Sequence, residues 1–329
     1  MPDGAGPGHE PWLLPYHSTA SPEDIFYCFR LLLGRHPNRE EWQGHSARAG
    51  DDLTRIVASY VNSLEFSRRG LLEPSPDPGV RLTRLDGFAI YTSVDDLAVG
   101  QSVAAGQYEP EVTAVFRRLL RPGMGVLDLG ANIGYFTLLS ASLVGATGYV
   151  LAVEPNRRNV RLLEASRRAN GFAQVTVSQT AAGRDTGLLE LNASYSNGTT
   201  SALPDRHDAV LGSEIVPCVR ADALLPPERR IDLIKADVEG AEYNALLGCR
   251  QTIAEHHPVI VSEFSPGLMP GISGISGEEY LRWIIGQGYR LATIRPDGSL
   301  QHAERNWRAV IDEYETRGVD HVDIVATPT

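Results

Sequence analysis

The side chains best able to do chemistry in this sequence are acidic residues that end or follow short apolar runs. Asp128 and Glu154 belong to two consecutive runs, and Asp237, Glu239 and Glu263 belong to two later ones. The carboxyl ends of parallel strands meet at one edge of a sheet, and ligands of open α/β sheets bind there. We therefore expect these carboxylates to lie together, where they could accept a proton, hold a hydroxyl group or bind Mg²⁺.

A glycine-containing loop after Asp128 indicates a site for a nucleotide-like ligand. Gly130 and Gly134 let the chain turn tightly and let a ligand approach the main chain. Glu154 stands 24 residues after Gly130 (154 − 130). This is close to the ~20-residue interval at which an acidic side chain reaches ribose hydroxyls in such folds. We expect Glu154 to bind a ribose.

The same loop disfavours NAD and FAD and favours S-adenosylmethionine. The dinucleotide pattern requires glycine where this chain has Asn132 and Tyr135. S-adenosylmethionine has no phosphate, and its amino-acid end needs polar partners, for which Asp128 and Asn132 are suitable. Ala182 lies in a run of small residues, 180–183, beside which an adenine ring could lie.

The elements that must position these residues alternate between apolar strands and helical segments. This rhythm predicts an α/β fold with a doubly wound, mostly parallel seven-stranded sheet covered on both faces. One of the last two strands could run antiparallel. The predicted strands are 126–129, 149–153, 174–178, 231–236, 258–263, 288–294 and 321–327. The segment 197–201 is predicted to be a polar loop.

Four parts are predicted along the chain. Residues 1–20 are predicted to be disordered, 21–72 to form a small helical domain, 73–79 a proline-rich linker, and 80–329 the domain that contains the sheet. Ser21 and Asn38 are candidate N-caps and Gly34 a helix stop. A third helix is expected to bury one face, formed by Leu53, Ile56, Val57, Tyr60, Val61 and Leu64.

Composition narrows the classes of partner and the compartment. Lys and Arg number 30 against 41 Asp and Glu, a net charge of −11 that disfavours nucleic acid. Three scattered cysteines do not make a disulfide framework. There is no signal-like segment and no apolar run of about 18 residues, so we expect a cytoplasmic protein without a membrane contact.

Four motifs together resemble the FkbM family of methyltransferases over about residues 105–327. They are Asp128–Gly134, Glu154–Asn156, Asn197–Ser201 and Ile231–Glu242. The resemblance implies a class I methyltransferase fold, S-adenosylmethionine, and methylation of hydroxyl oxygens of sugars and secondary metabolites. It adds Asn156 to the expected cofactor contacts. Ala236 stands where the family usually has Ile, a conservative departure.

Methyl transfer needs the acceptor held in attack geometry and its proton removed. We expect Asp237, Glu239 and Glu263 to form the polar wall of the active site, with one of them as base. Alternatively, Asp237 and Glu263 could hold Mg²⁺. Asn197 and His207 are expected on the side of the acceptor, a small molecule.

Several further assignments stay open at this point. Tyr108 and Glu111 could reach the methionine end of the cofactor, and Glu239 could instead cap the next helix. The helical domain could be a packing or homodimerisation appendage.

The acceptor atom could be a carboxylate or hydroxamate oxygen, which would need no base. A non-catalytic binding module is a further alternative. A nucleic-acid amino-methyltransferase is disfavoured, because the Asn/Asp-Pro-Pro-aromatic run of such enzymes is absent after the fourth strand.

Overall fold

The computed structural model describes residues 17–68, 79–194, 196–203, 210 and 214–329. Contacts along the chain divide it into two compact units, Met1–Pro78 and Gly79–Thr329. Residues 1–16 of the predicted disordered segment and 73–78 of the predicted linker lie outside the described residues. The two units are described separately below.

The first unit consists of short helices whose beginnings follow from their caps. They are α1 Pro22–Tyr27, which continues as a π-helical segment Cys28–Leu33, then α2 Arg39–Ser46, α3 Leu53–Val61 and α4 Leu64–Arg68. Ser21 and Asn38 each accept a hydrogen bond from the main chain three residues later, and the carboxylate of that later residue accepts one from the main-chain nitrogen of the cap. Gly34 adopts a left-handed φ of 68° and ends the π-helical segment.

The core of this unit differs in part from the predicted apolar face. Ile56 and Tyr60 are buried, as are Ile25 and Phe29. Leu64, however, is 78% exposed, because α3 ends at Val61 and Leu64 starts a separate helix, so the spacing of α3 no longer applies to it. Inclusion of Leu64 in the buried face was therefore wrong.

The second unit is built on strands and helices in alternation. Its strands are β1 Val80–Leu85, β2 Phe88–Ser93, β3 Gly125–Leu129, β4 Tyr149–Val153, β5 Val175–Ser178, β6 Ala181–Ala182, β7 Gly187–Ser194, β8 Asn197–Ser201, β9 Glu214–Val219, β10 Leu233–Ala236, β11 Val259–Phe264, β12 Tyr289–Ile294, β13 Leu300–Glu304 and β14 Val322–Pro328. Its α-helices are α5 Gly100–Ala104, α6 Pro110–Leu119, α7 Tyr135–Val144, α8 Arg157–Ala169, α9 Glu242–Leu247, α10 Arg250–His256, α11 Met269–Ile272, α12 Gly277–Gly286 and α13 Trp307–Arg317.

Eight of these strands form one sheet, in the order β13-β12-β14-β11-β10-β3-β4-β5. Parallel pairing runs from β5 through β4, β3 and β10 to β11, and β14 runs antiparallel to both β11 and β12. The seven predicted strands and the doubly wound α/β fold are thereby confirmed. The additional edge strand, β13, has a polar sequence, LQHAE, that carries no strand pattern.

The sheet centre is buried on both faces, as the apolar runs indicate. Every residue of β3, β4 and β10 is buried. α7 and α8 follow β3 and β4, so the loop that enters each helix lies at the carboxyl edge of the sheet. In the described part of the chain, no helix is long and apolar enough to cross a membrane.

A second, four-stranded sheet has the order β6-β9-β7-β8. The segment 197–201, predicted as a loop, is strand β8 of this sheet, paired antiparallel with β7 from Asn197 opposite Ser194 to Ser201 opposite Glu190. The prediction failed because the residues of this edge strand are small and polar, so no apolar alternation marks them. β1 and β2 form a separate hairpin.

Gly134 is required by helix packing. It has a φ of 97°, and a Cβ placed on it would lie 2.2 Å from Cδ1 of the buried Leu163 of α8. We expect Gly134→Ala to lower the free energy of unfolding by about 1–3 kcal/mol, because it combines overpacking with a strained backbone.

Denaturant unfolding compared with Gly171→Ala measures this. Gly171 also has a positive φ, 66°, but no atom lies within 4 Å of its virtual Cβ. The control therefore carries only the conformational cost of about 1 kcal/mol. Equal losses in both variants would contradict the packing argument.

Candidate active site

A cavity of about 670 Å³ opens at the carboxyl ends of β3, β4, β10 and β11. This volume is in the range of pockets for small molecules and cofactors. Most residues singled out from the sequence line it: Asp128, Gly130, Asn132, Glu154, Asn156, Ala182, Asn197, Asp237, Glu239 and Glu263. Gly134 is not among the lining residues, and His207 lies outside the described residues.

Asp128 offers one unoccupied carboxylate oxygen in this cavity. The residue is 1% exposed, and its Oδ2 accepts a hydrogen bond of 2.6 Å from Thr137 of α7. Its Oδ1 is buried without a partner in the described structure. Burial raises the pKa of Asp128, against the charge of Lys235 and the Thr137 hydrogen bond, which lower it. A buried, unpaired acceptor of this kind suits a cationic ligand group such as an ammonium.

Glu154 organises the loop that faces it. Its carboxylate accepts hydrogen bonds from the main-chain nitrogens of Asn132 (2.8 Å) and Asn156 (2.9 Å) and from Nδ2 of Asn159 (3.2 Å). Burial raises its pKa to about 7, although these hydrogen bonds act in the opposite direction. Among the described residues, only Asn132 donates to Oε2. A carboxylate oxygen has two lone pairs, so Oε2 can accept a further hydroxyl.

Asn132 joins the glycine loop to the small sheet. Its Nδ2 donates to Oδ1 of Asn197 on β8 at 3.1 Å, and its Oδ1 accepts from the main chain of Ile133. Gly130, with a φ of 80°, has a virtual Cβ 1.8 Å from the carbonyl oxygen of Asp237. Any side chain at Gly130 would push the loop away from the end of β10.

Lys235 is the only lysine among the 30 basic residues of the chain, and it is buried at the base of the cavity with 4% exposure. Its Nζ lies 2.5 Å from Oδ2 of Asp237 and 4.7 Å from the ring centroid of Phe136. Burial lowers its pKa, but the charges of Asp237, Glu109 and Asp128 outweigh this and raise it. The side chain is therefore a permanent ammonium shared by several carboxyls.

Asp237 and Glu263 differ in protonation because only Asp237 is paired with Lys235. Burial opposes ionisation of Asp237, but Lys235 and a hydrogen bond with Glu263 hold its pKa below the ordinary value. The pKa of Glu263 rises to about 10 through burial and the negative charges of Asp237 and Glu242. Glu263 also accepts a hydrogen bond from Ser265. At neutral pH, Asp237 is therefore a carboxylate and Glu263 a carboxylic acid.

This donor set does not fit the magnesium alternative. The ammonium of Lys235 already occupies Oδ2 of Asp237, and it would repel a second cation placed beside that carboxylate. Within the described residues, no group of three or more His, Cys, Asp and Glu side chains is arranged to hold a metal ion.

Glu242, to which no role was assigned from the sequence, holds the region after β10. Oε1 of Glu242 accepts from the main chain of Val238 (2.9 Å) and Gly240 (3.1 Å), directly before α9. The alternative that Glu239 caps this helix was wrong, since Glu242 satisfies those groups. Glu239 has a φ of 56° and lines the cavity, and burial raises its pKa.

The sequence reasoning missed Glu109. Tyr108 and Glu109 line the cavity, whereas Glu111 is not among the lining residues. Burial raises the pKa of Glu109 to about 8. Nothing in periodicity marks this residue, but an acidic side chain between an aromatic residue and the proline that starts a helix was a usable signal. Asp323, opposite Glu263, was missed as well, because it stands at the start of the antiparallel β14 and not at the end of a strand.

A doubly wound sheet with an antiparallel β14, and a cavity at its carboxyl edge, are features of the class I methyltransferase fold. The chain belongs to the methyltransferase FkbM family, whose domain model matches residues 128–291. No curated protein matches the sequence.

Solved structures resemble the chain distantly. Methyltransferase FkbM from Methylobacillus flagellatus KT is 16% identical with a TM-score of 0.40, over 91% of this chain and 58% of that one. The protein TYW2 of M. jannaschii in complex with AdoMet gives 16% and 0.40, over 75% and 85%. Fibrillarin of Aeropyrum pernix with natively bound S-adenosyl-L-methionine gives 13% and 0.37, over 78% and 86%. This chain therefore spans little more than half of the FkbM structure from M. flagellatus.

Proposed function

We propose that the protein transfers the methyl group of S-adenosylmethionine to a hydroxyl oxygen of a sugar or secondary metabolite. The observation that carries the proposal is the division of the cavity. Asp128 and Glu154 present acceptors suited to the cofactor on one side, and Asp237, paired with Lys235, lines the cavity with Glu263 on the other.

The first side of the cavity fits the methyl donor. Oδ1 of Asp128 would bind the ammonium of its amino-acid end, and Oε2 of Glu154 a ribose hydroxyl. Ala181 and Ala182 line the cavity with small side chains beside which the adenine would lie. When bound, the cofactor supplies a methyl group on a positively charged sulfur.

The second side fits a neutral, hydroxylated acceptor. Asp237 is ionised and can accept a hydrogen bond from one hydroxyl of such an acceptor. This contact would hold a polyhydroxylated molecule so that a neighbouring hydroxyl is oriented for attack on the methyl carbon. Asn197, at the start of β8, lines the same cavity and supports a polar acceptor.

Charge argues against a carboxylate or hydroxamate acceptor. The acids that line the cavity outnumber its permanent cation, Lys235; they are Glu109, Asp128, Glu154, Asp237, Glu239, Glu263 and Asp320. Lys235 is already paired with Asp237, so the lining leaves no further permanent cation to neutralise a negatively charged acceptor. The buried, costly Lys235–Asp237 pair also has no use in a module that only binds the cofactor.

The test distinguishes an ether product from an ester product by its stability in alkali. We expect tritium from methyl-labelled S-adenosylmethionine to appear on neutral sugars of a panel of hexoses and deoxyhexoses, and to stay on the product in mild alkali, because an ether is not saponified. Uronic acids serve as the matched acceptors that add a carboxylate to the same ring. Label that appears on uronic acids and is released by alkali as methanol would identify an ester and overturn the hydroxyl assignment.

A further inference from the structure

We infer that Glu109 is a further catalytic residue, which takes the proton of the acceptor hydroxyl as the methyl group is transferred. This inference rests on the proposed function. It adds to the Asp237–Glu263 pair a base that enters the cavity from a different segment, directly before α6.

The backbone at Glu109 is held in an unfavourable conformation at the cavity. Its φ is 38° and its ψ 60°, in the left-handed region that favours glycine. Pro110 follows, and a proline restricts the preceding residue to extended conformations. Of the five non-glycine residues with positive φ in the described chain, three line the cavity: Glu109, Asn132 and Glu239. Strain of this kind persists where the surrounding structure imposes it, and it concentrates at functional sites.

The groups around Glu109 leave it no cation that it does not share with another carboxyl. Tyr108 hydrogen bonds to it from its own segment, Lys235 and Asp237 face it from β10 and the residue after it, and Asp323 faces it from β14. The ammonium of Lys235 is already paired with Asp237 at 2.5 Å. Burial and the negative charges of Asp237 and Asp323 raise the pKa of Glu109 to about 8, although Lys235 lowers it.

Asp237 and Glu263 are less suited to accept this proton. The pKa of Asp237 is held below its ordinary value, so Asp237 is a weak base. The pKa of Glu263 is about 10, so Glu263 keeps its own proton at neutral pH. A general base acts best when its pKa lies near the working pH, and Glu109 meets this condition.

The charge of the cofactor would make Glu109 available. In the cavity without cofactor, Glu109 is protonated at neutral pH. A positive sulfur brought beside it favours its ionised form, and the proton leaves to solvent. During transfer the acceptor oxygen forms a bond to the methyl carbon, the carbon–sulfur bond breaks with its electron pair left on sulfur, and the hydroxyl proton passes to Glu109. Glu109 is then protonated beside a neutral thioether, which is its starting state.

Proton release on binding tests this without an acceptor. Calorimetric titration at pH 7 in phosphate and in Tris, which differ in ionisation enthalpy, gives the protons released. For wild type we expect S-adenosylmethionine to release about 0.5–1 proton more than S-adenosylhomocysteine, which lacks the charge on sulfur. In Glu109→Gln this difference should fall close to zero. Comparing the two proteins with the same ligand cancels titration of the ligand itself.

Two further variants complete the design. Glu111→Gln removes an acid from the same helix outside the cavity lining and should keep the wild-type difference. Glu109→Gly suits the left-handed backbone and should fold even if Glu109→Gln does not, with the same loss of proton release. An unchanged difference in a folded Glu109 variant that binds S-adenosylmethionine would overturn the inference while the proposed function stands. Absence of binding to wild type would overturn both.

Discussion

Asp128→Asn is expected to weaken the binding of S-adenosylmethionine by about 30- to 1000-fold, which corresponds to about 2–4 kcal/mol. The substitution keeps the shape of the side chain, and the amide oxygen can still accept the hydrogen bond from Thr137. It removes the negative charge of the oxygen that has no partner, and it can turn an amide N–H toward the ammonium instead.

The loss should appear in binding without a loss of folding. Burial raises the pKa of Asp128, so a neutral side chain is at least as easily accommodated there. Calorimetric Kd values and denaturant unfolding separate the two effects. Asp232→Asn is the matched control, since Asp232 accepts from the main chain of Gly125 at the other end of β3, away from the cavity. An Asp128→Asn protein that binds like wild type would refute the ammonium assignment.

Lys235→Met is expected to lower the free energy of unfolding by about 3–5 kcal/mol at pH 8, because it leaves buried carboxylates without their cation. Met has a similar length and can still pack on Phe136. The exposed Arg290, 3.7 Å from Glu304, provides a control: Arg290→Met should cost no more than about 1 kcal/mol.

The sign of the pH dependence follows from the pKa shifts of the neighbours. Glu109 and Glu263 have raised pKa values in the folded protein, about 8 and about 10, so the stability that they contribute is present at low pH and lost as pH rises through these values. Asp237 has a lowered pKa, and its contribution is lost as pH falls. Without Lys235, protonation of these acids relieves the uncompensated charge. The difference between variant and wild type should therefore shrink from pH 8 to pH 5, and a constant difference would contradict this explanation.

The sequence predicted the central strands of the sheets better than their edge strands. Strong apolar runs identified the strands β3, β4, β5, β10, β11, β12 and β14 of the large sheet, whereas β8 and β13 are polar edge strands without apolar alternation. The rule that ligands meet the carboxyl ends of parallel strands correctly gathered Asp128, Glu154 and Asp237 around one cavity.

The protonation states and ion pairs of the site could not be predicted from the sequence. In the sequence, Lys235 is one more residue of a predicted strand. Only the fold brings its ammonium close to the charges of Asp128, Asp237 and Glu109. Glu109 precedes the first strand of the large sheet, so the strand-end rule could not find it. Gly134 follows the glycine pattern of a ligand loop, yet its lack of a side chain serves the contact between α7 and Leu163.

The solitary lysine also makes the site observable by isotope labelling. Since the other basic side chains of the 30 are arginines, protein grown on ¹³C-lysine carries one labelled side chain, and that side chain lies at the base of the cavity. A single Cε resonance then needs no assignment. Its chemical shift would follow charge and proton movements around Asp237 and Glu109 in titrations with any ligand, provided that the expressed protein carries no lysine in a tag.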